Sequence, residues 1–202
     1  MAGEMLCTLS SFNEFARLTL MHTAIIVEPR KHRALPFVLH NVLTNLSDDW
    51  NVIVCHGTSN KEFVETILST DLEKYKSRVS LINLGVENLN RVEYNGLIAS
   101  KRFYDFIPTE MILVFQTDSM IFSENKHFIN EFMEFDYVGA PWRKNIRVSI
   151  FNNKMHGNNK RLIWLPFRNV QVGNGGLSIR KTQSMIRLTE RIVTTSFGDD
   201  AL

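Results

Sequence analysis

Short apolar runs and stretches with helical spacing alternate along the chain. Thr23 to Glu28 is a β-rich run that stops at Pro29, and its continuous apolar character predicts a strand buried on both faces. A helix is expected next. Pro36 suits a first turn, and Phe37, Val38, Val42, Leu43 and Leu46 recur at helical spacing before Ser47, Asp48 and Asp49 break the pattern. Asn51 to Cys55 predicts a second strand, residues 56–60 a loop, and Glu62 to Leu68 a second helix. The cycle continues with a strand from Val79 to Leu84, a helix from Arg91 to Tyr104 and a strand from Met111 to Phe115, separated from that helix by Pro108. Such alternation predicts βαβ units and an α/β fold with a doubly wound, mostly parallel central sheet flanked by helices.

After Phe115 the rhythm changes. Phe135 to Ala140 predicts a strand entering Pro141 and Trp142, and Ile146 to Phe151 is expected to form a hairpin with Arg161 to Leu165 around an exposed turn from Asn152 to Asn159. Val170 to Ile179 carries Gly173-Asn174-Gly175-Gly176 and leads into a helix from Lys181 to Val193. The 202 residues suit one domain, with residues 1–22 as an N-terminal extension.

Composition narrows the class. With 44% hydrophobic and 22% charged residues, the chain fits a soluble globular protein and not a collagen-like, coiled-coil or disordered one. Its two cysteines, Cys7 and Cys55, are too few for a disulfide-stapled scaffold, and Cys55 falls in an apolar strand with no basic neighbour to activate it, as a structural thiol would. The uncharged stretch from Leu18 to Val27 is too short to span a bilayer, and Glu4, Glu14 and Arg17 disrupt any secretory signal. A cytoplasmic location is the resulting expectation.

Charge is unevenly distributed. Met1 to Tyr137 holds 12 basic and 18 acidic residues, whereas Val138 to Thr189 holds 10 basic residues and no acid. One surface is therefore expected either to meet an anion or to be a solvated basic face. Aromatic residues Trp142, Phe151, Trp164 and Phe167 interleave with these charges, but no nucleic-acid module signature accompanies them. A small diphosphate ligand ranks above nucleic acid.

Ligands of open α/β sheets bind beyond the carboxyl ends of the strands. Polar residues stand there: Glu28 and Arg30, His56 and Asn60, and Gln116-Thr117-Asp118-Ser119. Asp118 either supplies a carboxylate to a hard divalent cation, whose shell waters and phosphates can complete, or caps the following turn. Gly173, Gly175 and Gly176 either admit a ligand close to the backbone or mark a bend or bulge; they lack the G-x-G-x-x-G spacing of dinucleotide enzymes. Asp199 and Asp200 are adjacent carboxylates suited to a general base, and equally an ordinary surface pair. Trp142 offers a flat face to a sugar ring or packs in the core. His127 and His156 lack metal-ligand spacing and read as surface residues.

In order along the chain, Leu113-Val-Phe-Gln-Thr-Asp-Ser119, Asp136-Tyr-Val-Gly-Ala-Pro-Trp142 and Gly173-Asn-Gly-Gly-Leu-Ser-Ile-Arg180 resemble a family of domains of unknown function whose members look like GT-A glycosyltransferases. That resemblance extends from about Thr23 to Arg180 and implies a GT-A-like (Rossmann-like) sandwich. It implies that Gln116-Thr117-Asp118 occupies the place of a D-x-D motif, with Asp118 contacting Mn²⁺ or Mg²⁺ and Gln116 replacing the first aspartate. Glu28 and Arg30 would lie near the nucleotide, with Asn95 and Lys101 as further donor-side candidates. Trp142, Asn174, Gly175 and Gly176 would border the sugar and acceptor, and Asp200, ahead of Asp199, would act as base. Two departures matter. Gln116 leaves fewer anionic metal ligands, and the chain ends at Leu202 before the late helix and metal-binding histidine of many such enzymes, as expected of a compact form or a fragment.

The leading expectation is a metal-dependent transferase that moves a sugar from a UDP- or GDP-linked donor to an acceptor hydroxyl, on a glycan or another molecule. A catalytically silent nucleotide-sugar or glycan-binding module is the alternative. Nucleic-acid binding through the basic segment ranks third and predicts steep salt dependence.

Overall fold

The computed structural model describes residues 22–141, 146–149, 155–156, 167–170 and 173–196. The helices are α1 (Leu35–Asn45), α2 (Lys61–Thr70), α3 (Arg91–Ile98), α4 (Lys101–Asp105), α5 (Phe128–Glu131) and α6 (Thr182–Ser196). The strands are β1 (His22–Val27), β2 (Trp50–His56), β3 (Val79–Asn83), β4 (Met111–Phe115), β5 (Tyr137–Pro141), β6 (Ile146–Ser149), β7 (Met155–His156), β8 (Phe167–Val170) and β9 (Gly173–Lys181). Strands β1 to β4 and β9 and β5 form one sheet in the order β3-β2-β1-β4-β9-β5, and β7-β6-β8 form a second, smaller one. Strand β1 pairs in parallel with both β2 and β4, and β2 with β3, while β9 runs antiparallel to its neighbours β4 and β5. This is the expected α/β sandwich, a mostly parallel sheet between helical layers.

The continuous apolar runs follow from coverage of both faces. On one face Ala24, Ile26, Val52, Val54, Leu113 and Phe115 pack with α1 and α2; on the other Ile25, Val27, Ile53, Cys55, Ile112 and Val114 pack with Phe103, Tyr104 and Met185. Helix α1 presents Leu35, Val38, Leu39, Val42 and Leu43 to the sheet, a stripe at helical spacing behind a proline in the first turn. Phe37, expected on that stripe, projects outward at 61% exposure, because at about 100° per residue it falls on the side of the helix opposite the buried positions.

Two local expectations are corrected, and the bulge expected as one alternative at the glycine segment is found. The helix from Arg91 to Tyr104 is two helices, because Ser100 turns extended and its hydroxyl accepts the Phe103 amide, starting α4 afresh. Strand β6 pairs with Met155–His156 and with Phe167–Val170, so the expected turn of residues 152–159 contributes a strand at Met155–His156, while the expected partner, residues 161–165, lies outside the described residues. The glycine segment lies within β9, where the pairing with β5 jumps from Gly139↔Ser178 to Ala140↔Asn174 and leaves residues 175–177 as a bulge.

Candidate functional site

The strand order places a topological switch between β1, which leads to β2 and β3 on one side, and β4, which pairs on the other. Crevices in such sheets open there, beyond the carboxyl ends of the strands. A cleft of about 470 Å³ occupies this position, bordered by Val27 to Arg30, His32, residues 88–91, Tyr94 and Gln116 to Asp118. Its size suits a small-molecule ligand.

One wall is built around Asn60, whose side chain is 0% exposed. Its Nδ2 donates to the carbonyls of Glu28 and Arg30 at 2.9 Å each, and its Oδ1 accepts the Gly57 amide at 2.7 Å. Gly57 in turn is wedged between loops, since a Cβ there would lie 2.5 Å from both the Pro29 and the Val86 carbonyl oxygens. Thr58 donates its amide to Val86, 2.9 Å away, which joins the loop after β2 to the loop after β3. The cleft wall is thus fixed by backbone contacts among three strand ends.

That wall aims Arg30. The Glu28 side chain is buried, and its two oxygens accept Arg30 Nε and Nη2 at 2.8 and 2.9 Å, while Oε1 also accepts the Arg30 amide at 3.1 Å. A bidentate pair of this kind fixes orientation as well as charge, and the hydrogen bond with Glu28 raises the Arg30 pKa further above its ordinary value. Glu28 is therefore occupied, and Arg30, with more than half of its side chain in solvent, presents positive charge at the cleft.

The opposite wall is the turn after β4. Ser119 stabilises it: the Gln116 amide donates to Ser119 Oγ at 3.0 Å, and that hydroxyl donates to the Gly176 carbonyl at 3.1 Å. The cap is thus Ser119 and not Asp118, which is exposed and makes no hydrogen bond or ion pair among the described residues. Tyr94 lines the cleft with Gln116, and its phenol pKa is pushed up chiefly by burial, opposed by Gln116 and by Arg180.

Of the residues chosen from sequence, Glu28, Arg30, Gln116, Thr117 and Asp118 line one cleft. Gly176 joins it through Ser119, Gly175 lies outside the lining with its carbonyl bonded to Ser178 and Arg180, and for Asn174 only the backbone, paired with Ala140, is described. Asn95 is exposed on α3 outside the lining, where Tyr94 takes the inward position. Lys101 also lies outside it, in an ion pair of 2.7 Å with Asp105 on the surface of α4. Trp142, Asp199 and Asp200 lie outside the described residues. Sequence reasoning missed His32, Arg91 and Tyr94. His32 Nδ1 accepts the Ala34 amide at 3.2 Å, so a neutral ring carries its proton on Nε2.

Among the described residues no group of three or more His, Cys, Asp or Glu is arranged to hold a metal ion. With Glu28 taken by Arg30, Asp118 is the carboxylate left at the cleft among the described residues. One carboxylate fits a Mg²⁺- or Mn²⁺-like ion only when waters and ligand phosphates supply the remaining oxygens. No helix among the described residues is long and apolar enough to cross a membrane.

The fold and cleft define an α/β sandwich with a crevice at the switch point of its mostly parallel sheet. The model of the family described as "Protein of unknown function (DUF5672)" matches residues 78–198, more than half of the chain, and the chain belongs to that family. No match was found among curated proteins. Among solved structures the chain is similar to S. aureus TarS 1-349, with 12% identity, a TM-score of 0.43 and coverage of 67% of this chain and 43% of that one. It is also similar to S. aureus TarS 1-349 in complex with UDP-GlcNAc, with 13% identity, a TM-score of 0.48 and coverage of 81% and 46%. The chain spans less than half the length of either solved chain.

Proposed function

We propose that the chain is a glycosyltransferase domain whose cleft takes a nucleoside-diphosphate sugar together with Mn²⁺ or Mg²⁺. The observation that carries this reading is the meeting, at the switch point, of Asp118, which has no partner among the described residues, with a guanidinium pre-aimed by Glu28 and a half-buried Tyr94. A diphosphate with its cation would satisfy both charges: Arg30 and Arg91 would answer the diphosphate oxygens, and Asp118 would hold the cation. The cation would offset charge growing on the leaving nucleoside diphosphate. Because Glu28 holds Arg30 before any ligand arrives, its charge acts without reorganisation at the moment of transfer. Tyr94 offers a ring to the base, and Trp142, Asn174, Gly175 and Gly176 border the sugar and acceptor. In an inverting reaction Asp200, with Asp199 beside it, accepts the proton of the acceptor hydroxyl as that oxygen bonds the anomeric carbon and the diphosphate oxygen departs.

Gln116 favours a second reading. It lines the cleft where a first metal-binding aspartate would stand and brings no charge to a cation, which suits a silent nucleotide-sugar-binding module. Incubation with UDP- and GDP-sugars and Mn²⁺ separates the two. Release of nucleoside diphosphate that stops on chelation and in Asp118→Ala supports the transferase. Binding without turnover, unaffected by Asp200→Ala, supports the module, and no binding by a folded chain overturns both.

A further inference from the structure

Arg180 is a buried cation that the proposed chemistry does not use. Its side chain is 6% exposed at the end of β9. Nε donates to Ser178 Oγ at 3.0 Å, Nη1 to Tyr104 Oη at 2.7 Å and Nη2 to the Gly175 carbonyl at 3.2 Å, and the guanidinium lies 5.6 Å from the centre of the Tyr137 ring. All these partners are neutral, and no carboxylate pairs with Arg180 among the described residues. Burying a guanidinium without a counter-ion is costly, and an apolar side chain of similar volume would stabilise the fold at least as well. What the guanidinium supplies and an apolar side chain cannot is a charged, planar fork of donors.

The bulge engages that fork. The Gly175 carbonyl accepts both Arg180 Nη2 and Ser178 Oγ, the latter at 3.1 Å, so the first peptide plane of the bulge is held by two donors. Gly175 lets the guanidinium approach, since a Cβ there would lie 3.1 Å from Nη2. The next carbonyl, Gly176, accepts Ser119 Oγ, and Ser119 holds the turn that carries Gln116 and Asp118. A continuous polar chain therefore runs from Tyr104 on α4 through Arg180 and the bulge to the cleft.

We infer that Arg180 is a positioning residue, whose buried guanidinium locks the Gly175–Leu177 bulge against the Gln116–Ser119 turn and so sets the cleft for an anionic ligand. The locking role stands on the hydrogen bonds, whereas naming the anion as a diphosphate rests on the function proposed above. Lysine keeps the charge but loses the fork, and methionine loses both.

The test uses the full chain with Arg180→Met, Arg180→Lys and Tyr104→Phe. Amide hydrogen exchange is followed without ligand in peptides spanning residues 116–119 and 173–180. UDP and GDP affinities are then measured with Mn²⁺. Arg180→Met should fold with a melting temperature near that of the wild type, yet exchange roughly tenfold faster in both peptides, a local loss of protection. Tyr104→Phe should show a smaller increase in exchange, and Arg180→Lys should restore part of the protection. If a nucleotide binds the wild type, Arg180→Met should weaken it by roughly tenfold, about 1.4 kcal/mol. Unchanged exchange in a folded Arg180→Met overturns the positioning role. Faster exchange with no nucleotide bound even by the wild type leaves that role standing and removes the diphosphate reading instead. If Arg180→Met fails to fold, Tyr104→Phe decides by the same peptides.

Discussion

Replacing Gly57 by alanine tests whether the cleft wall depends on close backbone packing. The added Cβ would lie 2.5 Å from Pro29 O, 2.5 Å from Val86 O and 2.9 Å from Pro29 Cβ, against roughly 3.5–4.0 Å for relaxed carbon contacts. These neighbours are backbone atoms or a proline ring and cannot rotate away. The loops after β1 and β3 must therefore separate by something like 1 Å, straining the Asn60 bonds to Glu28 and Arg30. Overpacking of this kind costs about 1–3 kcal/mol. At about 2–4 °C per kcal/mol for a chain of this size, the melting temperature should fall by roughly 2–12 °C. Thermal unfolding followed by circular dichroism measures it, and any ligand of the cleft should bind more weakly as Arg30 moves. A Gly57→Ala variant with unchanged melting temperature and unchanged binding would refute the packing argument.

Other residues give independent tests. Glu28→Gln replaces one carboxylate oxygen facing Arg30 with an amide donor, so one of the two bonds at 2.8 and 2.9 Å becomes repulsive. Stability should drop by about 1–2 kcal/mol in a denaturant titration, the half-exposed Arg30 keeping the loss modest, and a larger proportional loss of nucleotide affinity should accompany it. Burial pushes the Cys55 thiol up to about 12, so alkylation of Cys55 in the native chain should proceed only at the rate of unfolding; rapid labelling at neutral pH would contradict its burial. His22 is held below its ordinary 6.5 by burial, partly offset by Asp49 and Glu110. The unfolded state then binds more protons between the lowered folded value and 6.5, so His22's contribution is complete above pH 6.5 and is lost as pH falls below it. Comparing wild type with His22→Gln across that range should show a smaller pH dependence in the variant.

Strands β1, β2 and β4 were legible in the sequence because a strand covered on both faces must be apolar throughout, and no other short element imposes that requirement. The cleft was legible in part for the same reason, since Glu28, Arg30 and Gln116 to Asp118 are the polar residues that end such runs. Helix faces were harder to read. Tyr94 and Asn95 differ by about 100° around α3, so an error of one residue exchanges the inward side chain for the exposed one. The break between α3 and α4 carries no glycine or proline and depends on one capping hydroxyl, that of Ser100. Arg180 was legible only as a charge near a glycine segment. Its burial depends on Tyr104 and Tyr137, far away in sequence, and no local pattern announces such a neighbourhood. The basic segment was expected either to meet an anion or to be a solvated face, and part of it lies outside the described residues; among the described residues the arginines lining the cleft are Arg30 and Arg91, from the more acidic part of the chain.

The most direct test of the proposed donor site is isothermal titration of the full chain with UDP and GDP, with and without Mn²⁺, for the wild type and Asp118→Ala. Metal-dependent binding of one nucleotide by the wild type, lost in a folded Asp118→Ala, is the expected result. Binding that ignores the metal and survives the substitution would contradict the assignment of Asp118 and with it the metal-dependent donor site.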